Sequence, residues 1–92
     1  RPRERVSAMA EQTEDIVGLV ESVVRPLIEF PDELQIEASD AEDGSILVEL
    51  HVNEEDAGKV IGRQGRVIKA IRTLARAAAS RTNTHVEVEL ID

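Results

Sequence analysis

The chain has 92 residues, enough for one small domain, and 41% of them are hydrophobic, so it can bury a core of its own. It contains no cysteine, which excludes disulfide bridges and thiolate metal sites and favours a reducing cytoplasm. The formal net charge of −8 argues, taken alone, against a nucleic-acid partner.

The first predicted element is a helix from about residue 14 to about residue 29, with Thr13 as its N-cap. Pro26 lies inside this helix and lacks the backbone N–H that a helix needs, so we expect a kink or a break there. We expect residues 1–12 to be a disordered tail or an addition to the native chain, and residues 13–92 to form the domain. The apolar residues that recur at helical spacing are Ile16, Leu19, Val20, Val23, Leu27 and Phe30.

Three segments alternate apolar and polar residues, as half-buried strands do: 34–39, 45–52 and 85–91. The first two are predicted to form an antiparallel hairpin, and Gly44 supplies the positive φ that its turn requires. Two helices join the second strand to the third, so these two strands are predicted to be parallel.

Those two helices are separated by a short loop that contains two glycines. Asn53 followed by Asp56 resembles a capping box and predicts a helix from residue 54 to residue 60 or 61. The next helix is predicted to run from Arg66 to about Arg81, with an apolar face and a basic face. The apolar face consists of Val67, Ile68, Ile71, Leu74, Ala75 and Ala78. The basic face consists of Arg66, Lys69, Arg72 and Arg76.

The positive charge of the chain is concentrated in residues 59–81. That segment has seven basic residues and no acidic residue, whereas the rest of the chain has four basic and nineteen acidic residues. Because an acid-free segment stands inside an acidic chain, its charge has to be interpreted separately from the total. It predicts a local surface for phosphate. The seven residues are Lys59, Arg63, Arg66, Lys69, Arg72, Arg76 and Arg81.

The loop Gly62-Arg63-Gln64-Gly65 lies between the two helices of this segment. Glycines allow the backbone to turn sharply and to approach a ligand closely. The amides that open the following helix point outward, with the positive end of the helix dipole behind them, and this favours a phosphate. The alternative interpretation is a plain corner between two helices whose charges are solvated.

The sequence around this loop resembles the signature of KH domains, which is an apolar pair, then G-x-x-G, then apolar residues three and six positions after the second glycine. The match lies in residues 60–71. Segments 30–34, 58–62 and 69–73 resemble, more narrowly, the KhpA family of small, single-KH bacterial proteins. The resemblance implies an α+β fold of the type II KH class, in the order α-β-β-α-α-β. Helices would pack on one face of a three-stranded mixed sheet.

The resemblance also implies a function, the binding of short single-stranded RNA, with the loop holding about four nucleotides. The protein would act as an RNA chaperone or post-transcriptional regulator in a bacterial cytoplasm. The resemblance also implies an apolar groove beside the loop, formed by Val60, Ile61 and Ile68, with Ile36 as a further candidate for its wall. The alternative for Val60, Ile61 and Ile68 is that they belong to the core. The predicted RNA-binding residues are Lys59, Val60, Ile61, Gly62, Arg63, Gln64, Gly65, Arg66, Ile68 and Lys69.

Two protein partners are also implied by the resemblance: a second copy of the chain and a KhpB-like KH protein. A strip of small residues, Ala70, Thr73 and Ala77, borders the apolar face of helix 66–81 and would let a second helix approach closely. We therefore expect a homodimer through this helix. The alternative for the strip is a set of helix-forming residues on an exposed surface. The alternative for the function is a protein-interaction subunit that pairs with a KhpB-like partner, with RNA contact secondary.

Other functional classes lack their motifs in this sequence. Neither G-x-x-x-x-G-K-[ST] nor G-x-G-x-x-G is present, so no nucleotide cofactor is predicted. His51 and His85 lie on predicted strands near glutamates and are interpreted as surface histidines rather than metal ligands or general bases. We therefore predict no enzymatic activity, no cofactor and no metal site.

Overall fold

The part of the chain that the structure describes folds into three α-helices and a three-stranded sheet. The computed structural model describes the backbone of residues 2–81 and 83–91 and the side chains of residues 12–81 and 83–91. The order α-β-β-α-α-β and the predicted α+β class are confirmed. The helices are α1 Pro2–Val24, α2 Glu54–Ile61 and α3 Arg66–Ser80, and the strands are β1 Gln35–Asp40, β2 Ile46–His51 and β3 Val86–Ile91.

The sheet has the strand order β1-β2-β3, so β2 is central and β1 and β3 are its edges. β1 pairs with β2 in antiparallel fashion, and β2 pairs with β3 in parallel, as predicted. At the hairpin turn Gly44 has φ +87°, and the Ala41 N–H donates to the Ser45 carbonyl over 2.8 Å. The connection between the parallel strands β2 and β3 therefore consists of α2, the loop and α3.

One face of the sheet carries the core. Side chains of β2 and β3 on this face are buried against α1, α2 and α3, because alternate strand residues point to the same side. The buried members of this core include Ile16, Val20 and Val24 of α1, Val48 and Leu50 of β2, Val60 of α2, Ile71 and Ala75 of α3, and Val86 and Val88 of β3.

The bounds of α1 differ from the predicted helix at both ends. The helix ends at Val24, and Arg25–Leu27 continues as a 3-10 turn because Pro26 cannot donate the next hydrogen bond. It begins at Pro2, so the assignment of Thr13 as an N-cap was wrong; no glycine or proline between residues 3 and 12 stops the helix.

Arg1 and the side chains of residues 2–11 lie outside the described part of the chain. The predicted tail of residues 1–12 and the domain boundary at residue 13 therefore stay predictions. Among the described residues, no helix has both the length and the apolar composition needed to cross a bilayer.

The opposite face of the sheet is not covered by any described helix and carries a row of acidic residues. Glu37, Glu49 and Glu89 occupy paired positions on the three adjacent strands. Like charges placed directly opposite each other on a sheet are destabilising. His51 lies beside this row, with its Nε2 3.6 Å from a Glu37 carboxylate oxygen, and both side chains are partly exposed. The acidic row therefore lies on the face of the sheet opposite the one that packs against the helices.

Candidate nucleic-acid interface

The loop between α2 and α3 has a backbone conformation that depends on its glycines. Gly62 caps α2 with φ +77° and ψ 173°, and Gly65 precedes α3 in the left-handed region with φ +73°. Gln64 between them also has a positive φ, of 57°. Three of the four loop residues are therefore held in conformations that L-residues seldom adopt.

The two glycines have different surroundings. A Cβ atom at Gly62 would overlap with the side chain of Val67 and would approach the Val67 backbone nitrogen to 2.9 Å. A Cβ atom at Gly65 would meet nothing nearer than the Ile68 side chain at 3.9 Å. Gly62 is therefore required by close packing against the first turn of α3, while Gly65 is favoured only by its backbone conformation.

The N-terminus of α3 opens at this loop without a side-chain cap. The Arg66 N–H donates to the Arg63 carbonyl, and no side chain of the N-cap residue Gly65 can accept from the next amides. An anion placed at the loop would meet these amides and the positive end of a 15-residue helix. This arrangement can accept a phosphate group through the backbone alone.

Four polar side chains surround the opening. Arg63, Gln64, Arg66 and Lys69 are all exposed, and an Arg66 Nη2 donates to Gln64 Oε1 over 3.3 Å. No acidic residue occurs in residues 59–81 to neutralise them. The structure thus brings these predicted site residues together at one end of α3.

Lys59 belongs to the same predicted site but is engaged elsewhere. Its Nζ lies 2.9 Å from Glu29 Oε1 and 3.6 Å from Asp56 Oδ1. The hydrogen bond with Glu29, against the opposing effect of burial, holds the pKa of Lys59 above its ordinary value. Lys59 is therefore a partner of two carboxylates that tie α2 to the segment after α1.

Asp56 does not have the helix-capping role that the sequence pattern predicts, so that prediction was wrong. The capping contact at the start of α2 is made by Asn53, whose Oδ1 accepts from the Glu55 N–H. Asp56 is instead fully buried, and its two oxygens accept from the Glu29 and Phe30 N–H groups at 2.9 and 3.0 Å. Its position four residues before the buried Val60 is the signal for an inward-facing carboxylate.

The pKa of Asp56 reflects these contacts. Burial alone would raise it, because a charged carboxylate is disfavoured away from water. The two backbone hydrogen bonds and the nearby Lys59 ammonium outweigh that effect and hold the pKa below its ordinary value. The carboxylate is therefore ionised near neutral pH and ties the segment 28–30 to α2, which carries the loop.

The apolar residues of the predicted groove divide by exposure. Val60 is fully buried and Ile68 is 7% exposed, so both belong to the core beneath the loop. Ile61 is 40% exposed beside Gly62. Ile36 lies on β1, the edge strand farthest from β3, and packs against the core. Ile61 is thus the apolar member that offers a substantial surface next to the loop.

The basic side of α3 runs along the edge strand β3. Arg76 reaches Glu87 at 3.7 Å, and Arg72 Nε donates to the Val88 carbonyl at 3.1 Å. The later residue on β3 therefore contacts the earlier residue on α3, which means that the two elements run antiparallel. A hydrogen bond from His85, together with Arg76 and Arg72, holds the pKa of Glu87 below its ordinary value, although burial opposes the shift.

Comparison with known proteins gives consistent matches. The family model described as the KH domain of KhpA and KhpB matches residues 18–90. The chain is 49% identical over 73 residues to the RNA-binding protein KhpA of Clostridium acetobutylicum, covering 79% of this chain and 96% of that protein. It is 42% identical over 76 residues to the RNA-binding protein KhpA of Borreliella burgdorferi, covering 83% and 92% of the two chains.

Among solved structures, a crystal structure of Aquifex aeolicus Era bound to GDP and aluminium fluoride superposes with a TM-score of 0.52 and 18% identity. The match covers 79% of this chain and 29% of Era, and at this identity it supports the fold alone. The sequence matches span most of the chain and include the whole loop region between α2 and α3. The chain belongs to the KhpA/KhpB family of KH domains.

Proposed function

We propose that this protein binds short single-stranded RNA at the loop between α2 and α3. The observation that carries the proposal is the uncapped N-terminus of α3, which opens among the exposed side chains of Arg63, Gln64 and Arg66. Phosphates would be held by the α3 amides and by these side chains, and Ile61 would contact the sugar or base beside the loop. The names of the KhpA relatives support this function.

In this proposal the protein acts by binding, without catalysis, as an RNA chaperone or post-transcriptional regulator in the bacterial cytoplasm. Val60 and Ile68 hold the loop from beneath, and Lys59 fixes α2 through Glu29 and Asp56. Backbone contacts carry no sequence information, so the phosphate-binding part of the site is sequence-tolerant.

The double variant Arg63→Asp with Gln64→Asp tests the site. Both side chains are exposed, so the free energy of unfolding should change by about 0.5 kcal/mol or less. Two carboxylates beside the phosphate position should weaken the binding of a single-stranded oligoribonucleotide by more than about tenfold. Fluorescence anisotropy measures the affinity, and urea denaturation measures the stability.

A matched control variant makes the same change in net charge at the C-terminal end of α3. Arg81 and Asn83 are both exposed, and Asn83 has φ +58°, a conformation that aspartate tolerates. The double variant Arg81→Asp with Asn83→Asp should lose much less affinity than the loop variant. Equal losses in the two variants would mean that net charge, and not the loop, governs binding.

We also propose that the protein forms a homodimer through α3. Ala70, Thr73 and Ala77 are exposed, and next to them Leu74, which was predicted to lie on the core face, is 43% exposed. Together these four residues form a strip of small and apolar side chains on α3 that no described element covers. A second copy of α3, or α3 of a KhpB-like partner, would bury it.

The variant Ala77→Arg should split this dimer. On an exposed helix the substitution is almost neutral for folding, but in a helix–helix contact it places a bulky charge against an apolar partner. Light scattering should show a dimeric wild type and a monomeric variant. Ser39→Arg adds the same charge at an exposed position on β1, away from α3, and should stay dimeric. A monomeric wild type or a dimeric Ala77→Arg protein would rule out this interface.

If pairing with another KH protein were the main role and RNA contact secondary, the loop double variant would leave the biological activity largely intact, whereas Ala77→Arg would abolish it. The exposed basic residues around the uncapped end of α3 favour the RNA function. A surface that only binds protein would not need a phosphate site from which acidic residues are absent.

A further inference from the structure

β1 is an edge strand, and the backbone groups on its free side can be identified from the hairpin. The Ala41 N–H donates to the Ser45 carbonyl, so this pair is hydrogen-bonded. In an antiparallel ladder such pairs alternate with pairs that exchange no hydrogen bonds. Ile36, Ala38 and Asp40 therefore occupy the positions that do not bond to β2. Their N–H and C=O groups point away from the sheet.

The central strand gives the same assignment independently. The Ile46 N–H donates to the His85 carbonyl, towards β3, and Ile46 is the partner of Asp40 in the ladder between β1 and β2. Because successive residues of a strand bond to opposite sides, the alternate residues of β2 are the ones that bond to β1. No described residue donates to or accepts from the outward groups of Ile36 and Ala38. β1 therefore has a row of unpaired backbone donors and acceptors.

The core-facing side chains of β1 are incompletely covered at this edge. Ile36 and Ala38 pack against the core but remain partly exposed. Their partners on the central strand, Leu50 and Val48, are fully buried. The difference arises because β2 has a neighbour on each side and β1 has a neighbour on one side only. An added strand would therefore bury apolar surface as well as pair backbone groups.

The other side chains of β1 select the charge of an added strand. Glu37 projects from the open face of the sheet, opposite Glu49, and 65% of its side chain is exposed. β1 contains two acidic residues and no basic residue. Opposite charges on neighbouring strands are stabilising and like charges are destabilising. A strand with basic residues on the open face and aliphatic residues on the core face is therefore complementary to β1.

A second copy of β1 does not have this complementarity. If two copies paired antiparallel around Ala38, Asp40 of each copy would lie opposite Ile36 of the other on the core face. Each copy would also bring its own Glu37 and Glu49 to the same open face. Both arrangements are unfavourable, because like charges repel and a carboxylate loses water beside an aliphatic side chain. The occupant that fits is therefore a different chain.

We propose that β1 is a docking site for an extended peptide in which aliphatic and basic residues alternate, and that this peptide adds a strand to the sheet. Hydrogen bonds to the backbone of Ile36 and Ala38 provide affinity, and the charge of Glu37 selects the basic residues. The site lies at the opposite edge of the sheet from β3, the strand that Arg72 of α3 contacts. It does not depend on the proposed RNA binding.

Fluorescence anisotropy with three labelled peptides of about seven residues tests this site. One peptide alternates valine and lysine, one alternates valine and glutamate, and one has the composition of the first with its valines and lysines in separate blocks. The alternating valine–lysine peptide should bind at least about tenfold more tightly than the other two. Equal binding of the block peptide would mean that net charge alone attracts these peptides, and it would overturn the inference.

The variant Ala38→Pro tests the backbone pairing, with Ala38→Val as its matched control. Proline removes the outward N–H of residue 38 and none of the hydrogen bonds to β2, whereas valine keeps this N–H and suits a strand. The proline variant should lose more than about tenfold in affinity for the valine–lysine peptide, and the valine variant should retain it. Circular dichroism checks that both are folded. A folded proline variant that binds the peptide as well as the valine variant would contradict the pairing.

The variant Glu37→Lys tests the charge selection and keeps the inference testable if Ala38→Pro does not fold. The side chain is exposed, so the fold should stay intact. The variant should bind the valine–lysine peptide less tightly and the valine–glutamate peptide more tightly, so that the ratio of the two affinities falls by at least about tenfold. Glu54→Lys makes the same charge change at an exposed position on α2 and should leave this ratio nearly unchanged. Equal changes in both variants would overturn the role of Glu37.

The remaining outcomes separate this site from the other proposed surfaces. The loop double variant should bind the valine–lysine peptide as wild type does, and Ala38→Val should bind single-stranded RNA as wild type does. If the peptide does not bind wild type, the inference fails while the proposed RNA binding stands. If the Ala77→Arg protein forms a dimer that Ala38→Pro abolishes, β1 pairs with a second copy and the assignment of a basic peptide is overturned.

Discussion

Replacing Gly62 by alanine should destabilise the protein more than any other single substitution in the loop. Its φ of +77° with ψ of 173° falls in a region that is essentially restricted to glycine, and the new methyl group would overlap with Val67. Backbone strain and overpacking together should cost about 3–5 kcal/mol. For a domain of this size the melting temperature should fall by roughly 15 °C or more, measured by circular dichroism.

Gly65→Ala is the matched control for this prediction. Gly65 also has a positive φ, but an added Cβ would have room at 3.9 Å from its nearest neighbour. The left-handed conformation alone should cost about 1–2 kcal/mol, so this variant should remain folded. Equal destabilisation of the two variants would show that backbone conformation, and not the contact with Val67, makes Gly62 necessary.

Asp56→Asn should lower the melting temperature by about 10 °C. The carboxylate accepts from the N–H groups of Glu29 and Phe30 with one oxygen each, whereas an asparagine would turn an amino group towards one of those donors. It would also leave Lys59 with one carboxylate fewer. Thermal melting and urea denaturation near neutral pH measure the effect.

The effect of Asp56 should depend on pH in a definite direction. Its pKa in the folded protein lies below the ordinary value, so the ionised carboxylate stabilises the fold above about pH 4. That stabilisation is lost as the pH falls through the folded-state pKa, and the difference between wild type and Asp56→Asn should shrink there.

Asp43→Asn provides the comparison for Asp56. Asp43 accepts from the Ser45 hydroxyl and N–H, which lowers its pKa, but it lies in the exposed hairpin turn. Its replacement should change the melting temperature by much less. A large effect at Asp43, or a constant difference between wild type and Asp56→Asn down to pH 2, would contradict the role assigned to the buried carboxylate.

The strands, their pairing and the two central helices follow from local patterns. Ile46, Val48 and Leu50 alternate with more exposed residues, and this period of two identifies β2 and its buried face. Gly44 and the glycines at 62 and 65 mark the turns because each has a positive φ. The parallel placement of β3 follows from the length of the crossover.

What could not be predicted depends on long-range contacts. Asp56 has the residue type of a helix-capping group, and only its distance from Glu29 and Phe30 reveals that it bonds to another segment. Leu74 fits the apolar face by helical geometry, yet it is 43% exposed, and Ala79 is buried instead. Similarly, the contact between Arg72 and Val88 joins residues 16 positions apart.

The row formed by Glu37, Glu49 and Glu89 has a kinetic consequence for the proposed binding. The molecule has these carboxylates on the open face of the sheet and exposed basic residues at the loop, so its surface charge is unevenly distributed. A polyanion is therefore repelled by the sheet face and attracted to the loop. Association should therefore be fast and orientation-selective at low ionic strength and should slow as salt screens the field. Neutralising the row with glutamines should reduce that selectivity and let a strand collide unproductively with the sheet.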